Sequence, residues 1–181
     1  MKNTYKLLIV MILSTFTANS QDYDYNLGLK GGVNYDNLTN YNGNYSAGFN
    51  FGFFAEYPMV DQTYLLSEFL FSRQGADSKG LTPNLDLTYI NWPVLLKMEL
   101  YKGLYAELGP QFGFLIFAKG GTLAGEHYKW FDVAGSFGLS FDMGKSLNLG
   151  LRYNLGLLKI NKVGPDKIKN RNLQLSLAVK F

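Results

Sequence analysis

Residues 172–181 read N-L-Q-L-S-L-A-V-K-F, with an apolar side chain at every second position from Leu173 to Phe181. Successive side chains of an extended strand point to opposite faces, so a period of two is the pattern of a β-strand. The stretch therefore predicts a final strand with one apolar and one polar face. Such a strand would suit either a β-barrel or a soluble β-sandwich.

The same alternation recurs along the chain and divides it into eight segments. The third segment is less regular, because Leu66 and Leu70 share its polar face, and the fourth contains Pro93, which a sheet accepts at an edge, a bulge or a non-donating position. Besides the final strand, the predicted segments lie near 26–36, 44–57, 63–74, 87–100, 104–118, 130–141 and 146–158.

The connections between these segments alternate in length. Those at 58–62, 101–103 and 142–145 are tight turns, whereas 38–43, 75–86, 119–129 and 159–171 are longer and polar. Short periplasmic turns and long extracellular loops are typical of outer-membrane barrels, and an even strand number returns both termini to the periplasmic side. The prediction is an all-β fold, an eight-stranded antiparallel up-and-down transmembrane β-barrel.

Periodicity alone does not decide which face points inward, since a lipocalin-like soluble barrel would hide its apolar face. Two features favour the inverse arrangement. Strand glycines such as Gly28, Gly48 and Gly138 fall on the polar face, where a narrow lumen needs small residues beside large ones. The apolar rows are long and rich in aromatic residues, as a lipid-facing band requires. Tyr45, Tyr57, Trp92 and Tyr153 are expected to form interfacial aromatic girdles.

The N-terminal 20 residues have the organisation of a secretory signal peptide. Lys2 and Lys6 precede a short apolar run, and Ala18 and Ser20 are the small residues of a cleavage site before Gln21. The apolar run is too short for a spanning helix, and a short buried helix is the alternative. The expected division is a signal peptide at 1–20 and one outer-membrane barrel domain at 21–181.

Composition narrows the functional classes. The 181 residues contain no cysteine, which excludes disulfides and thiolate metal sites. The formal charge of +3 falls to +1 once Lys2 and Lys6 are removed, so nucleic acid is not an expected partner. Scattered loop carboxylates do not form a metal set, and no cofactor is expected.

The segments together resemble the PorT-like outer-membrane β-barrel family. The resemblance implies a barrel in the bacterial outer membrane, and one family member is tied to a secretion and gliding apparatus. This chain departs from the usual acidic-aliphatic pair before Pro93, where it has Asn91 and Trp92. The residues that carry the resemblance are L-K-G-G-V-N from Leu29, Glu68, R-Q-G from Arg73, Y-I-N-W-P-V-L-L-K from Tyr89, E-L-G-P-Q-F-G from Glu107, R-Y-N-L-G-L from Arg152 and N-R-N-L-Q-L from Asn170.

The final strand also resembles the C-terminal insertion signal of outer-membrane barrels. Phe181 is therefore expected to act as an assembly signal read by the β-barrel assembly machinery, and the folded protein is expected to contact outer-membrane lipid.

Catalysis has one candidate arrangement. His127 follows Glu126 in an expected outer loop, and Ser136 and Ser140 lie on the polar face of the next strand. A catalytic base needs its nucleophile within hydrogen-bond reach, and the spacing does not arrange this, so His127 is expected to be an ordinary loop residue.

Two functional classes follow. The first is a non-enzymatic barrel with a structural or interaction role, whose extracellular loops meet a protein partner, the surface or a secretion component. The second is a small-molecule porin or a lipid-modifying enzyme. The first class predicts a plugged lumen and is favoured.

The plug is expected to consist of paired charges. A tight turn centred on Lys102 would place Lys97 opposite Glu107, a favourable cross-strand pair. Glu68 and Arg152 also face inward, so a cluster of Glu68, Lys97 and Glu107 is expected, with Arg152 nearby. The alternative is a set of hydrated lumen charges without fixed partners. Phe54, Leu95 and Leu115 are the expected packing residues beside the cluster.

Overall fold

A computed structural model describes residues 25–40, 44–77, 84–119, 128–162 and 167–181. The expected signal peptide and the candidate His127 lie outside these ranges. No helix among the described residues is long and apolar enough to cross a membrane.

Eight antiparallel strands close into one barrel in chain order, which confirms the expected fold. The strands are β1 Asn26–Thr39, β2 Ser46–Pro58, β3 Thr63–Ala76, β4 Leu85–Tyr101, β5 Leu104–Lys119, β6 Phe131–Met143, β7 Leu147–Gly156 and β8 Lys169–Lys180.

Several strands extend further toward the long loops than alternation predicts. The third and fourth segments were expected to be joined by a loop over 75–86, but β3 and β4 remain paired as far as Ala76 and Leu85. Strand ends placed at the first polar residues are therefore too early, because backbone pairing continues wherever the two strands stay adjacent. Conversely, β7 ends at Gly156, two residues before the expected boundary.

The first and last strands seal the barrel. β1 and β8 pair from Gly28 with Lys180 to Thr39 with Lys169. The amide of Phe181 extends this ladder by donating to the Leu27 carbonyl at 2.9 Å. Closure pairs the outer edges of β1 and β8, so none of the eight described strands offers a free edge to another chain.

The tight turns lie at the same end of the barrel as the described C-terminus. Gly103 and Gly144 adopt φ values of +82° and +79° in two of them, a left-handed conformation that favours glycine. In the first of these turns the Gly103 amide also donates to the Glu99 carboxylate at 2.7 Å.

The two faces of the barrel wall differ as expected for a membrane barrel. Phe51 and Phe53 of β2 expose more than half of their surface outward. Lys30, Glu68 and Arg152 are buried inside. The interior is therefore the polar side, the reverse of a soluble lipocalin-like barrel.

Candidate functional site

The centre of the lumen contains a network of charges around Arg152. Its guanidinium donates to Glu68 with distances of 2.6 and 2.9 Å, and to Glu107 at 2.6 and 3.2 Å. Lys30 Nζ donates to the same Glu68 carboxylate at 2.7 Å. The central network, defined as Lys30, Glu68, Glu107 and Arg152, joins β1, β3, β5 and β7 across the lumen.

The observed charge cluster differs from the expected one in the partner of Lys97. Glu68, Glu107 and Arg152 meet, and Lys97 is in register with Glu107 on the neighbouring strand. However, the Lys97 ammonium is paired with Glu56 at 2.5 Å. Cross-strand register places the backbone, but a lysine side chain is long enough to reach a carboxylate two strands away.

Lys97 belongs to a second network nearer the tight turns. Glu56 also contacts Lys180 at 3.2 Å, and Lys180 contacts Asp142 at 3.0 Å. Asn148 donates to the second oxygen of Asp142 at 2.6 Å. The Lys97 ammonium also lies 4.4 Å from the centre of the Tyr105 ring, a cation–π geometry. The lower network comprises Glu56, Lys97, Asp142, Asn148 and Lys180.

Sequence reasoning did not assign Lys30, Glu56, Asp142 or Lys180 to the lumen networks. The signal was present for Lys30 and Glu56, because each lies on the polar face of an alternating strand. Lys180 likewise continues the polar face of β8, whereas Asp142 was expected in a tight turn and instead belongs to β6.

The charges of the two networks balance. Lys30, Lys97, Arg152 and Lys180 supply four positive charges, and Glu56, Glu68, Glu107 and Asp142 supply four negative ones. Removing a buried charge from water is costly unless a partner and additional hydrogen bonds compensate it. Each charge in the two networks has an oppositely charged partner, so removing one member would leave another buried without compensation.

Apolar side chains fill the space between these charges. Phe54, Leu66, Leu95 and Ala178 form one buried cluster. Gly28 faces Phe54 in register, and a Cβ at this position would lie 2.5 Å from the Phe54 ring. The expectation of small residues beside large ones on the lumen face therefore has a steric basis at Gly28.

Amide side chains occupy the lumen above the central network, toward the long loops. Asn34 donates to Ser72 Oγ at 2.9 Å and accepts from Asn50 at 2.7 Å. On β7, β8 and β1, Asn154 donates to Asn172 at 2.7 Å, and Asn172 donates to Asp36 at 2.6 Å. These hydrogen bonds link neighbouring or next-neighbouring strands along the wall and use groups that would otherwise bind water.

An apolar cap closes the lumen at the end of the long loops. Leu38, Ala76, Leu85, Leu87, Tyr89 and Ile160 are buried together, and Leu115 packs against them. Leu115 was expected beside the charge cluster with Phe54 and Leu95, but it lies in this cap. Ile160 comes from the connection after β7, so alternation could not place it inside. A cavity below the cap, lined by Gln74, Tyr89, Gln111 and Asn170 among others, has a volume of about 10 Å³, room for about one water molecule.

The candidate catalytic serines are part of this lumen filling. Ser136 donates to Asn154 Oδ1 at 2.6 Å, and Ser140 is buried with 2% of its surface exposed. Ser136 is therefore engaged as a hydrogen-bond donor in the amide layer.

The outward face contains an aromatic row across four strands. Phe53 stacks on Phe69 at 5.5 Å between ring centres, and Phe69 stacks on Trp92 at 5.5 Å. The Trp92 ring lies 5.7 Å from that of Phe112 on β5. Trp92 was expected in a girdle near a strand end, but it lies in the middle of β4. Its indole N–H would be unsatisfied in lipid there, and it donates to Ser67 Oγ at 3.0 Å. Tyr45 and Tyr57 do lie at strand ends, as expected.

The long-loop rim above β6, β7 and β8 is basic. Lys129, Lys159 and Arg171 lie at this rim, and Lys129 and Arg171 are exposed. None of the three takes part in an ion pair with another described residue, whereas Arg73 on the opposite side pairs with Asp86 at 2.8 Å. The basic rim, defined as Lys129, Lys159 and Arg171, therefore presents unneutralised charge within the described part of the chain.

An apolar groove lies below the basic rim on the outer wall of β5, β6 and β7. Its volume is about 270 Å³. Pro110 and Gly135 are paired in register at its floor, so neither projects a long side chain. The residues lining the groove are Leu108, Gly109, Pro110, Ala134, Gly135, Ser136, Phe137, Leu155 and Leu157.

Comparison with known proteins agrees with this architecture. Residues 18–162 match the family described as outer membrane protein beta-barrel domain. The attachment invasion locus protein Ail of Yersinia pestis, solved with the heparin analogue sucrose octasulfate, is 17% identical, with 87% of this chain and 99% of Ail covered at a TM-score of 0.55. Neisserial surface protein A is 15% identical, with 87% and 97% covered at a TM-score of 0.52. No curated protein matches the chain.

Proposed function

The chain belongs to the outer membrane protein beta-barrel domain family and is an integral protein of the bacterial outer membrane, and on that premise we propose that it is a closed, non-enzymatic interaction barrel. In this role the barrel anchors the extracellular loops, and the loops bind a protein partner or a surface or secretion component.

The observation that carries this proposal is the filled lumen. The lower network, an apolar cluster, the central network, an amide layer and the apolar cap follow one another from the tight-turn end to the long-loop end. A porin instead keeps a water-filled channel. Eight strands enclose a space that side chains can fill, and here charged, amide and apolar groups fill it.

The non-enzymatic part of the proposal rests on the roles of the candidate nucleophiles. The Ser136 hydroxyl is used in the amide layer, and Ser140 is buried inside the barrel wall. A hydrolase of membrane lipids would need its nucleophile accessible to the bilayer or to solvent. Neither serine meets that condition.

Two similarities support an interaction role at the loops. The PorT-like resemblance favours a surface or secretion component as the partner. Ail was solved with a polyanionic sugar, an example of this barrel architecture in a complex with an external ligand. The basic rim gives the long-loop end of the present chain a positive charge, the sign that attracts an anionic ligand.

Planar-bilayer recording tests the closed lumen. Purified protein should insert without producing steady conductance steps, because no continuous water path crosses the filled lumen. Reproducible open-channel steps that persist when Lys97 and Glu107 are both neutralised would exclude the plug and favour a porin.

Crosslinking in cells tests the interaction role. A photoreactive residue at one of positions 120–127 should capture a specific partner, whereas the same residue in the tight turn at 102–103 should not. Equal capture from both ends would argue against loop-mediated binding.

A further inference from the structure

We propose that the outer wall of β5 to β8 binds a phosphorylated lipid of the outer leaflet, with an acyl chain in the apolar groove and a phosphate at the basic rim. The long-loop end of the barrel faces the cell exterior, so this wall meets the outer leaflet.

The groove has the character of an acyl-chain site. Leu108, Phe137, Leu155 and Leu157 form its sides, and all of them face outward from the barrel. Its floor is Gly135, and a Cβ built there would meet no atom within 4 Å. The neighbouring outward rows carry leucine and phenylalanine. The missing side chain at Gly135 therefore leaves a recess between these rows.

Arg171 lies beside this recess, and Lys159 follows the last groove residue toward the exterior. Arg171 of β8 is paired in register with Leu155, one of the groove residues. Lys159 follows Leu157 by two residues, and the Lys129 amide donates to the Ile160 carbonyl at 2.8 Å. The three cations thus lie on the same sector of the barrel as the groove, toward the exterior.

The vertical spacing suits a single lipid. Lys159 follows Leu155 by four residues, so the chain between them spans at most roughly 14 Å. A phosphate at the rim would therefore have its acyl chain at the height of the groove. Trp130 exposes 68% of its surface beside the rim, and tryptophan favours the level of lipid headgroups.

Charge complementarity selects the class of lipid. A zwitterionic headgroup would leave part of the rim charge uncompensated, whereas a glycolipid bearing phosphate monoesters supplies matching negative charge. Basic residues near an anionic lipid surface each contribute favourably to binding. The proposed occupant is therefore a phosphorylated glycolipid of the lipid A type.

Native mass spectrometry of the full barrel in detergent, titrated with lipid A, tests the site. The protein should retain one lipid A. The variant Lys129→Gln/Lys159→Gln/Arg171→Gln should bind about 100-fold more weakly, from the contribution expected of three basic side chains. The matched control Lys102→Gln/Lys145→Gln removes positive charge at the periplasmic turns and should bind as the unmodified protein does. Equal binding by the triple variant and the unmodified protein would overturn the proposal.

Gly135→Leu tests the groove independently of charge. The added side chain enters open space, so the barrel should fold, and it should displace several methylenes of the acyl chain and weaken binding about tenfold. Gly135→Ala should have a smaller effect in the same direction and serves if the leucine variant does not fold. Unchanged lipid A binding by both variants would overturn the acyl-chain site.

The same titration distinguishes a phosphorylated lipid from free phosphate as the ligand. Lipid A stripped of its phosphates should bind as weakly as the triple variant binds intact lipid A. Inorganic phosphate should compete poorly, because it lacks the acyl chain. Full displacement of lipid A by millimolar phosphate would show a headgroup surface only and would contradict the proposed site.

Discussion

The guanidinium of Arg152 on β7 lies 2.6 Å from the carboxylate of Glu68 on β3, and the two residues are 84 positions apart in the chain. In a ring of eight strands β3 and β7 are directly opposite one another. This ion pair therefore connects opposite walls of the barrel through its centre.

Replacing Arg152 tests the importance of that connection. Arg152→Ala leaves Glu68 and Glu107 buried without their shared cation, and breaking a buried pair in this way costs about 3–5 kcal/mol. Urea unfolding of the refolded barrel in detergent micelles measures the loss. Arg73→Ala is the matched control, because the exposed Arg73–Asp86 pair should contribute at most about 1 kcal/mol. Similar losses for both variants would contradict a special role for Arg152.

The partner of Lys97 can be identified with double-mutant cycles. Lys97→Met and Glu56→Gln should be coupled by about 1 kcal/mol or more, because the groups touch in a buried site. Lys97→Met and Glu107→Gln should show weaker coupling, since the Glu107 carboxylate is bound to Arg152. Stronger coupling to Glu107 would mean that the register partner is also the ionic partner.

The hydrogen bond between Trp92 and Ser67 should stabilise the lipid-facing wall. Ser67→Ala leaves the indole N–H without an acceptor in an apolar medium, at a cost of about 1 kcal/mol. Adding Trp92→Phe removes the unsatisfied donor, so Ser67→Ala should cost almost nothing in that background. Unfolding in lipid vesicles measures both values, and an equal cost of Ser67→Ala in both backgrounds would exclude the hydrogen bond as the cause.

Phe181 is proposed to act in assembly. Phe181→Asp places a charge beside the ladder that closes β8 onto β1, and we expect little folded barrel in the outer membrane. The readout is the heat-dependent shift in gel mobility of the membrane fraction. Tyr101→Asp introduces the same charge at another exposed aromatic residue near a periplasmic turn and should assemble well. Normal membrane levels of the Phe181 variant would remove Phe181 as an assembly signal.

Processing of the N-terminus is the remaining expectation. Residues 1–20 are proposed to be removed during export, which makes Gln21 the first residue of the mature protein. Intact-mass measurement of protein purified from membranes checks this directly. A mass that includes residues 1–20 would mean that the segment is retained.

Much of the architecture was predictable because it depends on side-chain parity, that is, on whether a residue occupies an odd or an even position along its strand. Once Leu173 and Phe181 are assigned to the outer face, Gln174 and Lys180 must face inward, and the same parity holds along each paired strand. The tight turn at Lys102 was also sufficient to align Lys97 with Glu107. The expected strand boundaries limited this reasoning. Asp142 was expected in a turn but continues the inward row of β6, and Ile160 lies in the connection after β7.

The sequence by itself determined that the chain forms a barrel with an apolar outer face, and it identified most residues of the lumen. Both follow from local properties, namely alternation and turn length. Only the tertiary structure decided that Arg152 joins Glu68 to Glu107, that Lys97 binds Glu56, and that a recess lies beneath the basic rim. These relationships depend on strand tilt and stagger around the closed barrel, which place distant strands across from one another and are not encoded in the spacing of any one segment.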